Sequence, residues 1–108
     1  MRLAALVLAV LLAAPAVAAP PPVIISLKNH MFTPATVTVP AGEKVIIDLT
    51  NHDMATEEFD SHDLKVEKLV TPGGHVTFVI GPLAPGAYSF MGEFHPATAQ
   101  GHVIAVGH

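Results

Sequence analysis

Cysteine and tryptophan are both absent from this 108-residue chain. Without Cys there is no disulfide framework, no thiolate-bound zinc, no iron–sulfur cluster and no Cys-coordinated blue copper centre. Positive charge is scarce as well. Five Lys and Arg face nine Asp and Glu, for a formal net charge of −4, which excludes the basic footprint of a nucleic-acid-binding surface. The charged fraction is 13% and the hydrophobic fraction 51%, the reverse of a disordered composition. Aromatic rings are few too: one Tyr and five Phe are outnumbered by seven His. That ratio is the first pointer to metal chemistry. The length suits one domain.

The amino terminus is read separately from the domain. Met1-Arg2 supplies a short positive start, and Leu3–Ala14 is an unbroken apolar run closed by Pro15. A membrane-spanning helix needs about 20 apolar residues, and this run falls short. Ala16-Val17-Ala18 fits the small-x-small pattern of a cleavage site. The expectation is a signal peptide over 1–18, cleaved near Ala18, a Pro-rich leader over 19–22 and one domain over 23–108. The protein would then be periplasmic or secreted, and the mature chain would not span a membrane. It would keep four Lys, no Arg and all nine acids.

After the leader, short β-branched or alternating runs are separated by Pro/Gly turns. Val23–Lys28, Thr36–Val39, Lys44–Thr50, Leu64–Val70, a run through Val76, Phe78 and Ile80, Ala87–Met91 and Gly101–Val106 all read as strands. Period-two alternation marks strands with one buried face. Seven to eight strands at short, regular spacing predict an all-β fold, a Greek-key β-sandwich. The polar stretch His52–His62 and the segment Gly92–Gln100 read as loops.

Those two segments carry the chemistry-bearing side chains. The first packs His52, Asp53, Met54, Glu57, Glu58, Asp60 and His62 into a dozen positions, and the second holds Met91, Glu93 and His95. If Phe59 points into the core, Glu58 and Asp60 share the opposite face. Imidazole suits copper, iron, nickel and zinc, thioether favours Cu(I), and carboxylate favours harder ions. On residues alone the competing reading is a solvated acidic face with Met91 in the core. No Gly-x-Ser-x-Gly elbow is present, so hydrolase chemistry has no support. His75 and His108 read as surface residues, and no role is assigned to His30, His52, His62 or His102.

Phe32-Thr33-Pro34, Val37–Val45, Leu49–Asp53, Tyr88-Ser89-Phe90, His95 and Gly101-His102-Val103 together resemble the cupredoxin pattern across nearly the whole domain. In blue copper relatives the carboxy-terminal loop carries a Cys, a His and a Met, and an earlier loop supplies a second His. Here Gly92 lies where the Cys is expected, no Met follows His95, and Glu57 or Glu58 lies near the earlier His position. The resemblance implies the fold and excludes blue electron transfer.

Glu57–Ser61, the Val70–Gly74 turn, Phe94-His95-Pro96 and Ala99-Gln100-Gly101 resemble the Cys-lacking EfeO-type group found beside bacterial iron-uptake permeases. That resemblance implies a metal-binding protein taking copper, with iron as substrate, and assisting iron uptake by Fe(II) oxidation as a ferroxidase-type accessory. Its partner would be an iron permease or another periplasmic iron-uptake component. It implies Glu58, Met91 and His95 as metal ligands, then Asp60 and Glu93, with His30, Met31 and His62 nearby; Glu57 and Asp53 are read instead as solvated surface. Two alternatives stay open: a copper or iron carrier without redox activity, and a metal-free interaction domain.

Overall fold

The computed structural model describes residues 4–10 and 18–107. Most of the expected signal segment, and His108, lie outside the described residues. Among the described residues no helix is long and apolar enough to cross a membrane.

Nine strands follow one another among the described residues: β1 Val23–Lys28, β2 Met31–Thr33, β3 Thr36–Pro40, β4 Val45–Asn51, β5 Glu57–Ser61, β6 Val66–Val70, β7 His75–Ile80, β8 Gly86–Gly92 and β9 Gln100–Val106. They form two sheets, a four-stranded one ordered β2-β1-β4-β7 and a five-stranded one ordered β3-β9-β8-β5-β6. The β1–β4 and β3–β9 pairs are parallel and the others antiparallel. Parallel neighbours cannot be joined by a tight hairpin, so the chain crosses between the sheets. The expected all-β sandwich is the observed fold.

The alternating residues do what their spacing predicts. Val45, Ile47 and Leu49 of β4 are buried, as are Phe78 and Ile80 of β7 and Val103 and Ala105 of β9. Between the layers Phe59 meets Phe90 at 4.8 Å, Phe78 at 5.0 Å and Phe32 at 5.9 Å between ring centroids. Burying a side chain such as Phe59 is worth about 1.5–3 kcal/mol in transfer free energy alone.

Two strands depart from the sequence expectation. β2 has three residues, too few for periodicity to show. β5 lies inside the stretch that reads as a loop, because two of its three inward positions are polar: Glu57, Phe59 and Ser61 are all buried. Each polar group is satisfied locally, which is what lets it face inward. Ser61 Oγ donates to the Ser89 carbonyl at 2.7 Å and accepts the Leu64 N–H at 2.9 Å.

Candidate metal centre

Three segments converge at one end of the sandwich: the β1–β2 turn, the start of β5, and the loop between β8 and β9. Asn29 and His30 form the two-residue turn, with φ of 53° and 56°. Positive φ at both central positions is the type I′ requirement, which Asn meets easily and His at some cost. Asp53 holds the turn in place. Its Oδ1 accepts the Asn29 N–H at 2.7 Å and its Oδ2 the His30 N–H at 2.9 Å. Asp53 is itself fixed by buried Asn51, whose Oδ1 accepts the Asp53 N–H at 2.9 Å. The Asn51 amide donates to the carbonyls of Ala55 and Val70, at 2.8 and 3.0 Å. The His30 N–H, ahead of the Asn29 N–H and the His30 and His95 imidazoles, holds the Asp53 carboxyl below its ordinary range against the opposing effect of burial.

The turn lays the His30 ring flat on His95, with centroids 3.7 Å apart and planes at 11°. His95 sits in a closed loop. The Gly92 N–H donates to the Ala99 carbonyl at 2.8 Å, and the Ala99 N–H to the His95 carbonyl at 2.9 Å. Below the rings lies Glu57, its side chain only 2% exposed, against 28% for His95 and 42% for His30. Glu57 Oε1 accepts the N–H groups of Glu58 and Phe94, at 3.1 and 2.9 Å. Its Oε2 is hydrogen-bonded to His95 Nδ1. A buried carboxylate survives only with such compensation, and none of the buried side-chain N or O atoms of the described residues lacks a partner.

Glu57 fills a space that position 92 leaves open. A Cβ on Gly92 would lie 2.7 Å from Glu57 Cδ and 2.9 Å from Oε1. Where the resemblance expects a thiolate, the chain sends in a carboxylate from β5 instead.

His30, Glu57 and His95 each offer one ligand atom, all within 4.8 Å of one another. Two imidazoles and one carboxylate form a nitrogen–oxygen set that fits Cu(II) and, equally by donor type, other divalent first-row ions. This is a different grouping from the one the resemblance implies. Strand alternation sends Glu58 and Asp60 to the outer face of the five-stranded sheet, where Met91 lies directly opposite Asp60. Glu93 joins them, its N–H on the Glu58 carbonyl at 2.9 Å. Its hydrogen bond to Asp60, reinforced by the charges of Asp60, Glu58 and Glu67, pushes the Glu93 carboxyl up. Of the five residues the resemblance implies, His95 alone reaches the imidazole pair. Glu58 and Asp60 group with Glu67, again within 4.8 Å.

The reading of Glu57 and Asp53 as solvated surface is corrected: one is buried beneath His95 and the other clasps the His30 turn. The signal for Glu57 was present in the sequence, since a residue two places before an inward Phe59 must also face inward. His75 is exposed as expected and pairs with Asp48.

The sequence profile of the cupredoxin-like domain matches residues 2–105. Protein RP394 of Rickettsia prowazekii (strain Madrid E) is 44% identical over 80 residues, 74% of this chain. The aligned region spans 64% of that relative's length. Among solved structures, auracyanin A, a "blue" copper protein from Chloroflexus aurantiacus, superposes with a TM-score of 0.70 at 16% identity, covering 82% of this chain and 100% of that one. Dithionite-reduced auracyanin from Roseiflexus castenholzii gives 0.69 at 18% identity, over 82% and 99%. A purple cupredoxin from Nitrosopumilus maritimus gives 0.61 at 20% identity, over 78% and 99%.

Proposed function

Because this chain belongs to the cupredoxin-like domain family, and because its Cys position is replaced by the buried carboxylate of Glu57, we propose that it binds copper through His30, Glu57 and His95. The carrying observation is the gathering of these three donors within 4.8 Å of one another, with Glu57 in the space left by Gly92. The naming of a structural neighbour as a copper protein supports the choice of metal. When bound, copper supplies a one-electron acceptor, without the thiolate charge transfer of a blue site. The chain's own part is positional. Asp53 orients the His30 turn, Glu57 sets its carboxylate against the His95 ring at Nδ1, and the hydrogen-bonded loop keeps His95 in register with both.

In its finer form the reading is an exported accessory of iron uptake, with Fe(II) as substrate giving up one electron and an iron permease as partner. The apolar amino-terminal run supports export. The grouping of Glu58, Asp60 and Glu67 supports iron, since hard carboxylate oxygens favour the higher charge.

Titration of the metal-free full chain with Cu(II) tests the site. One tight equivalent, lost in both His95→Ala and Glu57→Ala, is expected. Unchanged affinity in both variants overturns the assignment. Fe(II) consumption measured with and without bound copper tests the finer reading: copper-dependent loss supports the accessory role, and copper binding without it leaves a carrier.

A further inference from the structure

A second set of side chains with thioether, imidazole and carboxylate groups lies on the outer face of the five-stranded sheet. Register places Asp60, Met91 and Gln100 opposite one another across β5, β8 and β9. Two residues along β8, Ser89 lies opposite His102. On the other side of Ser89 the chain leaves β5 through Ser61, His62 and Asp63. Ser61 Oγ donates to the Ser89 carbonyl at 2.7 Å, and Asp63 Oδ2 accepts the Ser89 N–H and Oγ–H at 2.9 and 3.0 Å. His62 and His102 therefore flank a small serine, with the Met91 thioether in the adjoining row.

The small side chain of Ser89 leaves a notch between its larger neighbours. Asp60, His62, Ser89, Met91, Gln100 and His102 line a cleft of about 220 Å³. The groove beside it, about 690 Å³, shares Asp60 and His62 but is otherwise lined by Ser61, Lys65, Val66 and Glu67, with no sulfur donor.

We propose that this cleft is a second metal site, separate from His30, Glu57 and His95, that takes monovalent copper through the Met91 thioether and the imidazoles of His62 and His102. Thioether and imidazole together select Cu(I) over harder ions. Asp60 and Asp63 supply negative charge beside the site without being needed as ligands. The cleft is built from exposed side chains on a fixed sheet, so an ion can enter and leave it directly from solution. A site of that kind suits delivery of the metal, whatever the occupancy of the His95 site.

The test follows the methyl resonances of methionine in the full chain as Ag(I), a redox-inert stand-in for Cu(I), is added anaerobically. The Met91 signal is expected to move while those of Met31 and Met54, both exposed elsewhere, stay in place. Competition with a Cu(I)-specific chelator is expected to show affinity reduced about tenfold or more, about 1.4 kcal/mol, in Met91→Leu and in the His62→Asn/His102→Asn double variant. These substitutions alter exposed positions and leave the core intact. In His95→Ala the Met91 response is expected to persist. An unmoved Met91 signal, unchanged affinity in both variants, or loss of the Met91 response in His95→Ala each overturns the proposal.

Discussion

The carboxyl carbon of Glu57 lies 2.7 Å from the point at which a side chain on Gly92 would begin. The two positions are thus exclusive: a carboxylate from β5 and a side chain from β8 cannot occupy the same space. Gly92→Ala must displace both Glu57 and Ala99, and overpacking of this kind costs about 1–3 kcal/mol. Chemical denaturation of the metal-free protein measures it. The exchange also runs backwards. In Glu57→Ala/Gly92→Cys a thiolate replaces the carboxylate, and Cu(II) is expected to produce an intense visible charge-transfer band that neither the parent nor Glu57→Ala shows.

Asp53→Ala removes both acceptors of the His30 turn. Hydrogen bonds to a charged group are worth about 1.5–3 kcal/mol each, but the turn is partly exposed, so a stability loss of about 1–2 kcal/mol is expected. Copper affinity is expected to fall with it, on the order of tenfold, the scale typical of groups that orient a ligand. Asp53→Asn keeps an acceptor and is expected to lie between the two. Parallel denaturation and copper titration check both effects, and parent-like copper binding in Asp53→Ala would mean that His30 needs no clasp.

Phe59→Ala opens the centre of the phenylalanine cluster. The expected loss is about 3–5 kcal/mol, read as a lower denaturation midpoint. Phe94→Ala, at a half-exposed ring beside His95, is expected to change stability by less than about 0.5 kcal/mol, as surface substitutions do.

Glu93 gives the pH dependence its sign. Its hydrogen bond to Asp60 raises its folded-state pKa above the ordinary 4.5, so the folded chain holds this proton more tightly than the unfolded chain. The stabilisation is complete below about 4.5 and is lost as pH rises through the folded value. NMR titration of the Glu93 carboxyl is expected to show a midpoint above 4.5 that moves back towards it in Asp60→Asn. An unchanged midpoint in that variant would remove Asp60 as the cause.

The sandwich was legible because its inward positions are mostly apolar: Val45, Ile47, Leu49, Phe78 and Ile80 announce themselves by alternation. The site was less so. Glu57 and Ser61 are polar residues on a buried face, and hydropathy assigns such residues to loops. Phe59 was the usable marker, since its neighbours two places away must share its side. His30 could not be found this way. Its place over His95 depends on a turn held by Asp53, 23 residues further along the chain, and no local pattern encodes that contact. The gathering of Asp60, His62, Met91 and His102 likewise depends on strand register, which composition does not reveal.

The turn that carries His30 belongs to the four-stranded sheet, whereas Glu57 lies in the five-stranded one and His95 in the loop joining two of its strands. An ion held by all three would fasten one layer to the other at that end of the molecule, a task that a disulfide performs in many small domains. The chain has no cysteine to make one. Occupancy would then be a mechanical property as well as a chemical one, adding a link between the layers to the Asn51–Val70 hydrogen bond already there.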